Sequence, residues 1–236
     1  MLLKVTEVEH YTDTLFRIRT ERPQSFRFSA GEFTMIGMPD TNITRAYSFT
    51  SGPGDDYIEF FSIKVPQGPL TSLLQHVSVG DSIQVSERTT GTLTLANIEL
   101  GGDLWLLATG TGIAPFVSIL RDMCTYDSFE NINVVWSVRD EKELDAYKDF
   151  ISEMPVRFIP VVTQSKSWRG IDTRITNLLD WRGILTNRDP LTNKVMICGS
   201  MDFNTDVKTR LTAWGWSEGN KRTAGTFVQE KAFVEK

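Results

Sequence analysis

Leu104-Trp105-Leu106-Leu107-Ala108-Thr109-Gly110-Thr111-Gly112-Ile113-Ala114-Pro115 decides the architecture of this chain. Its first five residues are a short continuous apolar run, the pattern of a strand buried on both faces of a parallel sheet. Glycines at 110 and 112 follow. From Pro115 to Met123, residues Phe116, Ile119, Leu120 and Met123 recur on one helical face. Pro115 suits the first turn of a helix, where its missing N–H is not needed. Strand, glycine turn and helix in that order make the opening unit of an α/β sheet.

The same alternation continues downstream. Asn133–Val138, Val156–Val162, Lys194–Gly199 and Thr226–Glu230 read as strands. Glu141–Phe150, a segment beginning at Ile175–Leu179, and Asp202–Trp214 read as helices. This predicts a doubly wound parallel sheet. Upstream the pattern differs. Leu15–Arg19 alternates apolar and basic residues as a half-buried strand does, and Phe33–Met38, Ala46–Thr50, Tyr57–Val65 and Ser82–Ser86 are further strands. Ser51–Asp56, Pro66–Pro69 and Val79–Asp81 are turns between them, and Leu70–His76 is one short helix. Close-spaced short strands indicate an antiparallel β-barrel or sandwich. The chain is therefore expected to have two domains, a barrel over residues 1–97 and an α/β domain over 98–236.

The 236 residues carry a net charge of −5, which argues against nucleic acid as the main partner. The N-terminus lacks the basic-then-apolar order of a signal peptide, and no apolar run approaches the ~20 residues that span a bilayer. A cytoplasmic protein with no membrane association is expected. Cys124 and Cys198 stand far apart and outside any metal-type pairing, and there are two histidines, so no metal site is expected. Both thiols are read as reduced.

Two stretches carry candidate chemistry. Arg45-Ala46-Tyr47-Ser48 places a guanidinium, a ring and a hydroxyl within one strand. Arg45 suits a phosphate, and Tyr47, two residues on, points to the same side, where its ring would stack on an isoalloxazine. Ser48 would then approach the flavin N5. A solvated arginine with a tyrosine on a barrel wall has the same sequence. Gly68-Pro69-Leu70-Thr71 offers amides and the Thr71 hydroxyl, as cap or donor, to a pyrophosphate; an ordinary capped turn is the alternative. In the second half, Thr109, Gly110, Thr111 and Gly112 would let the backbone approach a second nucleotide. Arg139 ends one buried strand, and Arg169 and Arg174 follow the next. All three suit the 2′-phosphate of NADP, or else are solvated. Cys198-Gly199 ends a fourth buried strand, with Cys198 either against a nicotinamide or a structural thiol. Arg17, Arg19, Arg22 and Arg27 are candidates for a basic docking face, or else a solvated strand face.

Taken in order, Arg45–Ser48, Gly68–Thr71, Thr109–Pro115, Val135–Arg139, Cys198–Ser200 and the tail Phe227–Lys236 resemble the ferredoxin–NADP reductase superfamily, specifically its short bacterial ferredoxin/flavodoxin–NADP reductases. The resemblance covers essentially the whole chain. It implies a barrel that binds FAD and an α/β domain that binds NADP(H) as substrate. Arg45, Ala46, Tyr47 and Ser48 would hold the flavin. Ser62, Ile63 and Lys64 would line it by backbone contact, with Gly68, Leu70 and Thr71 at its pyrophosphate. Thr111 would sit where nicotinamide and flavin meet. Glu230 matches an acidic residue implicated in proton or hydride handling, and Ser48, Cys198 and Glu230 form the implied catalytic set. Ala232 would stand where plant-type relatives place a stacking tyrosine, and Phe233 would fold back on the adenine. Gln164 and Met201 depart from the family pattern, where arginine and proline are common.

The implied reaction is exchange of electrons between NADPH, as hydride, and a one-electron carrier, ferredoxin or flavodoxin, by a monomer. An NAD(P)H-dependent flavin reductase or a detached oxygenase reductase would share the hydride site. A nucleotide-binding regulatory module would share the fold and turn nothing over.

Overall fold

A computed structural model describes residues 1–181, 183–185 and 187–231. The N-terminal half contains β1 (Leu2–His10), β2 (Leu15–Glu21), β3 (Phe33–Gly37), β4 (Thr44–Ser48), β5 (Tyr57–Ile63), the four-residue helix α1 (Thr71–Leu74) and β6 (Ser82–Thr90). The strands form one antiparallel six-stranded sheet ordered β4-β3-β6-β1-β2-β5. A Phe49–Phe60 bridge links its two ends, so the sheet curls into a barrel. Phe16, Ile18, Ile36, Phe49, Ile58, Phe60, Leu70, Leu74 and Ile83 fill the interior. Stacked Phe28 and Phe49 rings, 4.1 Å apart, close one end.

β1 was not expected. Leu3 and Val5 face the core, but Glu7 and Glu9 carry the polar alternation onward, so the strand lacks a continuous apolar signal. β2 also departs from the half-buried pattern. Arg17 is only 9% exposed, because its face of the sheet is covered by charge rather than by solvent.

The C-terminal half contains β7 (Asp103–Thr109), α2 (Ala114–Leu120), α3 (Met123–Ser128), β8 (Asn131–Val138), α4 (Lys148–Glu153), β9 (Arg157–Val162), α5 (Ile175–Asp180), β10 (Asn193–Gly199), α6 (Met201–Ala213) and β11 (Phe227–Lys231). The strands are parallel in the order β11-β10-β7-β8-β9, the expected doubly wound sheet. The helix expected over Glu141–Phe150 splits into a 3-10 turn, Glu141–Ala146, and α4. Asp140 caps that turn in a reciprocal capping box with Glu143. Among the described residues no helix is long and apolar enough to cross a membrane.

The halves share one core. Leu15, Ala30, Phe61 and Leu93 pack in a single cluster with Ile113, Phe116, Val117, Trp136 and Tyr147. Polar bonds cross the same seam. The Ser118 hydroxyl donates to Ser51 O at 2.7 Å, and Arg121 donates to the Tyr57 hydroxyl at 2.9 Å. These bonds fix the barrel around Ser51 and the start of β5 against the C-terminal end of α2.

Candidate functional site between the two sheets

Carboxyl ends of parallel strands are where an open α/β sheet has room for ligands. Here that edge meets the barrel in a cleft lined by Arg45, Ala46, Tyr47, Ser48, Ser62, Ile63 and Thr71 on one side. Thr111, Cys198 and Glu230 line the other. These expected residues, from two sheets, thus meet in one place. Phe33, Phe61, Val65, Ala114, Pro115 and Lys231 complete the lining and were not expected. Phe61 had a readable signal, since it neighbours Ser62 in a strand already identified.

β4 aims its side chains through pairing with β3, where Ile36 faces Arg45 and Thr34 faces Tyr47. The Tyr47 hydroxyl lies 2.9 Å from Ser62 Oγ, and its ring meets Phe60 edge-on at 6.2 Å. Both ends of the side chain are therefore held. Arg45 donates to Thr44 O at 2.9 Å.

Thr109–Gly112 behaves differently from expectation. Gly110 has φ +53° and nothing within 4 Å of where a Cβ would stand, so its face is open. The Trp136 indole donates to Gly110 O at 2.9 Å and holds the turn. Gly112 and Gly199 instead pack the strand ends together. A Cβ on Gly112 would fall 2.2 Å from Cys198 O, and one on Gly199 would fall 2.1 Å from Thr109 Oγ1. Their small size serves protein packing before any ligand. Thr109 Oγ1 is also occupied, accepting from Ser200 N at 3.2 Å.

Several expected residues lie outside the cleft lining. Lys64 Nζ donates to Thr12 O at 2.9 Å, tying down the β1–β2 turn. Leu70 is fully buried in the barrel core and is itself the N-cap of α1. Gly68 accepts from Ser72 N and closes the turn. Thr71 does not cap the helix: it is the first helical residue, and its hydroxyl donates to Val65 O at 3.1 Å. Arg139, Arg169 and Arg174 are exposed and line neither this cleft nor each other's loop as a cluster. Arg169 donates to Lys166 O and Trp168 O within its own loop. Gln164 bonds back through its amide to Arg139 O at 2.9 Å. Ala232 and Phe233 lie outside the described residues.

Arg17 and Arg19 do not stand free for the expected basic docking face. Arg17 and Arg19 converge on Glu59, which is fully buried, at 3.0 and 2.6 Å. Arg17 also pairs with Glu7 and Glu9, and Arg19 with Glu7. Glu59 further accepts from the Thr50 hydroxyl at 2.8 Å and the Tyr147 hydroxyl at 3.0 Å. Burial raises the Glu59 pKa, but Arg17, Arg19 and Thr50 outweigh it and hold the carboxyl below its usual range. Arg22 donates to Pro53 O and Asp55 O, and Arg27 to Gln24 O and Phe26 O. Arg17, Arg19 and Arg22 are thus engaged within the barrel, while Arg27 stays exposed.

In the cleft the electrostatics run the other way. Cys198 is 2% exposed, and burial pushes its thiol well above the ordinary range, with Glu230 adding to the shift. Both effects favour the protonated thiol over the thiolate. Glu230 faces Cys198 in the β10–β11 register. Burial pushes its carboxyl up, against bonds from Thr92 and Leu93 and the charge of Lys221.

Known proteins share this arrangement. The family model for an oxidoreductase FAD-binding domain matches residues 1–93, and that for an oxidoreductase NAD-binding domain matches 106–209. Ferredoxin–NADP reductase A of Sorangium cellulosum is 41% identical, over 98% of this chain and 89% of its own length. The flavodoxin/ferredoxin–NADP reductase of Rhodobacter capsulatus is 40% identical, over 98% and 92%. A solved ferredoxin NADP+ reductase from Neisseria gonorrhoeae, with bound FAD and NADP, superposes with a TM-score of 0.90 at 32% identity, covering 99% of this chain and 98% of that one. Identity of this order over nearly every residue, on a matching two-sheet frame, leaves one conclusion: the chain belongs to the ferredoxin–NADP reductase family.

Proposed function

We propose that this chain is an FAD-containing ferredoxin or flavodoxin–NADP reductase, exchanging electrons between NADPH and a one-electron carrier protein. The observation that carries this reading is the single cleft in which Arg45, Tyr47 and Ser48 of the barrel face Thr111, Cys198 and Glu230 of the parallel sheet. A hydride can pass only between rings held in contact, and two nucleotide-binding halves sharing one cleft is the arrangement that allows it. The family models and the named relatives support it independently.

The residues fit both nucleotides. The donor set on β4, a guanidinium, a clamped ring and a hydroxyl, suits a phosphate and an isoalloxazine. Gly110 leaves open backbone at the end of β7 for a second nucleotide. When bound, the flavin supplies the conversion of a hydride pair into single electrons. The chain's own groups do the rest. Arg45 holds a flavin phosphate. Tyr47, fixed by Ser62 and Phe60, orients the ring. Ser48 and Thr111 present hydroxyls where the two ligands meet. Cys198, neutral and buried, gives the nicotinamide an uncharged wall and excludes water. Glu230 holds or releases a proton at its carboxyl. Arg139, Arg169 and Arg174, exposed on the segments that follow β8 and β9, are the candidates for the 2′-phosphate. We divide the chain at residue 97, in the 3-10 turn after β6, and read it as a cytoplasmic monomer.

Stopped-flow mixing with NADPH and with NADH tests the reading. Faster flavin reduction by NADPH, with reoxidation by flavodoxin or ferredoxin, is expected. Turnover only with free flavin as acceptor would make it a flavin reductase instead. Flavin bound but reduced by neither nucleotide would make it a binding module.

A further inference from the structure

Glu230 belongs to β11, yet its carboxyl is gripped by the turn that leaves the barrel. Thr92 N donates to Glu230 Oε2 at 3.0 Å. The Thr92 hydroxyl lies 2.8 Å from Gln229 O and 3.3 Å from the same Oε2. Asn97 pins this turn through bonds to Thr92 O at 3.1 Å and Thr94 Oγ1 at 2.9 Å. Asn204 fixes the strand from the other side, donating to Glu230 O at 2.8 Å. Carboxyl and hydroxyl are thus both held on backbone that is itself hydrogen-bonded.

A hydroxyl has one proton and two lone pairs, so Thr92 cannot donate to both oxygens at once. With its proton on Gln229 O, a lone pair faces Oε2 and accepts from a protonated Glu230. With the hydroxyl turned, it donates to an ionised Glu230, and the Gln229 carbonyl gives up that bond. One torsion therefore serves both charge states. We infer that Thr92 is a positioning residue for Glu230, its hydroxyl turning between Gln229 O and Oε2 as the carboxyl gains and loses a proton. The carboxyl then changes charge without moving. This rests on the proton-handling role proposed for Glu230.

The charged and titratable neighbours come from every side. Cys198 lies on β10, Lys221 in the segment before β11, and Lys231 on the same strand. Arg45 stands across the cleft on β4. Glu32 and Asp122 line a second cleft, behind Gly91. None of these offers a group that is donor and acceptor at Oε2, which is what Thr92 alone supplies among the contacts above.

The test compares wild type, Thr92→Val and Thr92→Ser. Carbon-13 carboxyl NMR, with the Glu230 signal assigned through Glu230→Gln, reads the ionisation directly. The pH dependence of flavin reduction by NADPH is followed in parallel. The hydroxyl gives the carboxylate a charge-assisted bond and gives the acid only a weaker neutral one, so its net effect holds the Glu230 pKa down, and Thr92→Val should titrate Glu230 higher, by about half a pH unit or more. The reduction profile should move the same way, and Thr92→Ser should restore both. A Thr92→Val protein whose Glu230 titrates as in wild type overturns the inference, as does failure of serine to restore it. An unchanged pH profile in Glu230→Gln overturns the proposed role of Glu230 itself. In that case a shifted titration in Thr92→Val would still establish the contact but strip it of catalytic meaning.

Discussion

β2 and β4 look alike in sequence and do opposite things. Leu15-Phe16-Arg17-Ile18-Arg19 sets two arginines, and Thr44-Arg45-Ala46-Tyr47-Ser48 one, among apolar or small residues in a short barrel strand. In β2 the arginines face Glu59, Glu7 and Glu9 across neighbouring strands and disappear into a charged network. In β4 every residue is half-buried, and Arg45, Ala46, Tyr47 and Ser48 line the cleft. The difference is not in the strands. It lies in what stands opposite: a buried carboxylate for one, an open edge of the parallel sheet for the other. An arginine pattern therefore reads as structural where a buried carboxylate faces it, and as a candidate site where its strand lines a cleft.

The contrast breaks first at Glu59. Glu59→Gln removes the buried carboxylate that Arg17 and Arg19 share, leaving them Glu7 and Glu9 at the rim, and should cost about 3 kcal/mol in urea unfolding. Its acid dependence follows from the depressed pKa. Folded Glu59 titrates below its ordinary 4.5, so the unfolded chain binds the extra proton and stability falls as pH drops below that value. In Glu59→Gln that part of the acid loss should vanish. If the variant unfolds like wild type, β2 is no more structural than β4.

Arg45→Ala should show the reverse signature. A lost charge-assisted bond of ~1.5–3 kcal/mol corresponds to roughly 10- to 100-fold weaker FAD binding, while the flavin-free protein keeps its melting temperature. Equilibrium dialysis and calorimetry separate the two effects. A fall in apoprotein stability as large as that of Glu59→Gln would erase the distinction.

Tyr147→Phe is a finer probe. Its hydroxyl donates from the second half to Glu59 at 3.0 Å, and Glu59 keeps its other partners, Arg121 among them. The loss should be about 1 kcal/mol, read by thermal unfolding. The smallest effect concerns Glu230. Its raised pKa means the folded state holds a proton the unfolded chain has lost, so stability declines as pH rises above 4.5. This is the opposite slope from Glu59, and Glu230→Gln should flatten it.

Much of this was legible in sequence, for reasons that particular residues show. Leu104–Ala108 announced a buried parallel strand because both of its faces are apolar, and Arg45-x-Tyr-Ser announced a site because three chemistries sit within one strand's reach. What was not legible depends on partners distant in the chain. Glu59 looks like one polar position in an aromatic strand until Arg17, Arg19 and Tyr147 meet it. Thr92 is an unremarked residue in a turn until Glu230, 138 positions on, reaches it. Gly112 and Gly199 signalled a close approach correctly, but sequence does not say whether the approaching atom belongs to a ligand or, as here, to the neighbouring strand.

The central claim is that the cleft between the two sheets joins a flavin to a nicotinamide. It is tested most directly by the visible absorption spectrum of the purified protein, before and after anaerobic NADPH. The account predicts a flavin spectrum that bleaches on adding NADPH. A protein that binds no flavin, or whose flavin stays oxidised in excess NADPH, would contradict it.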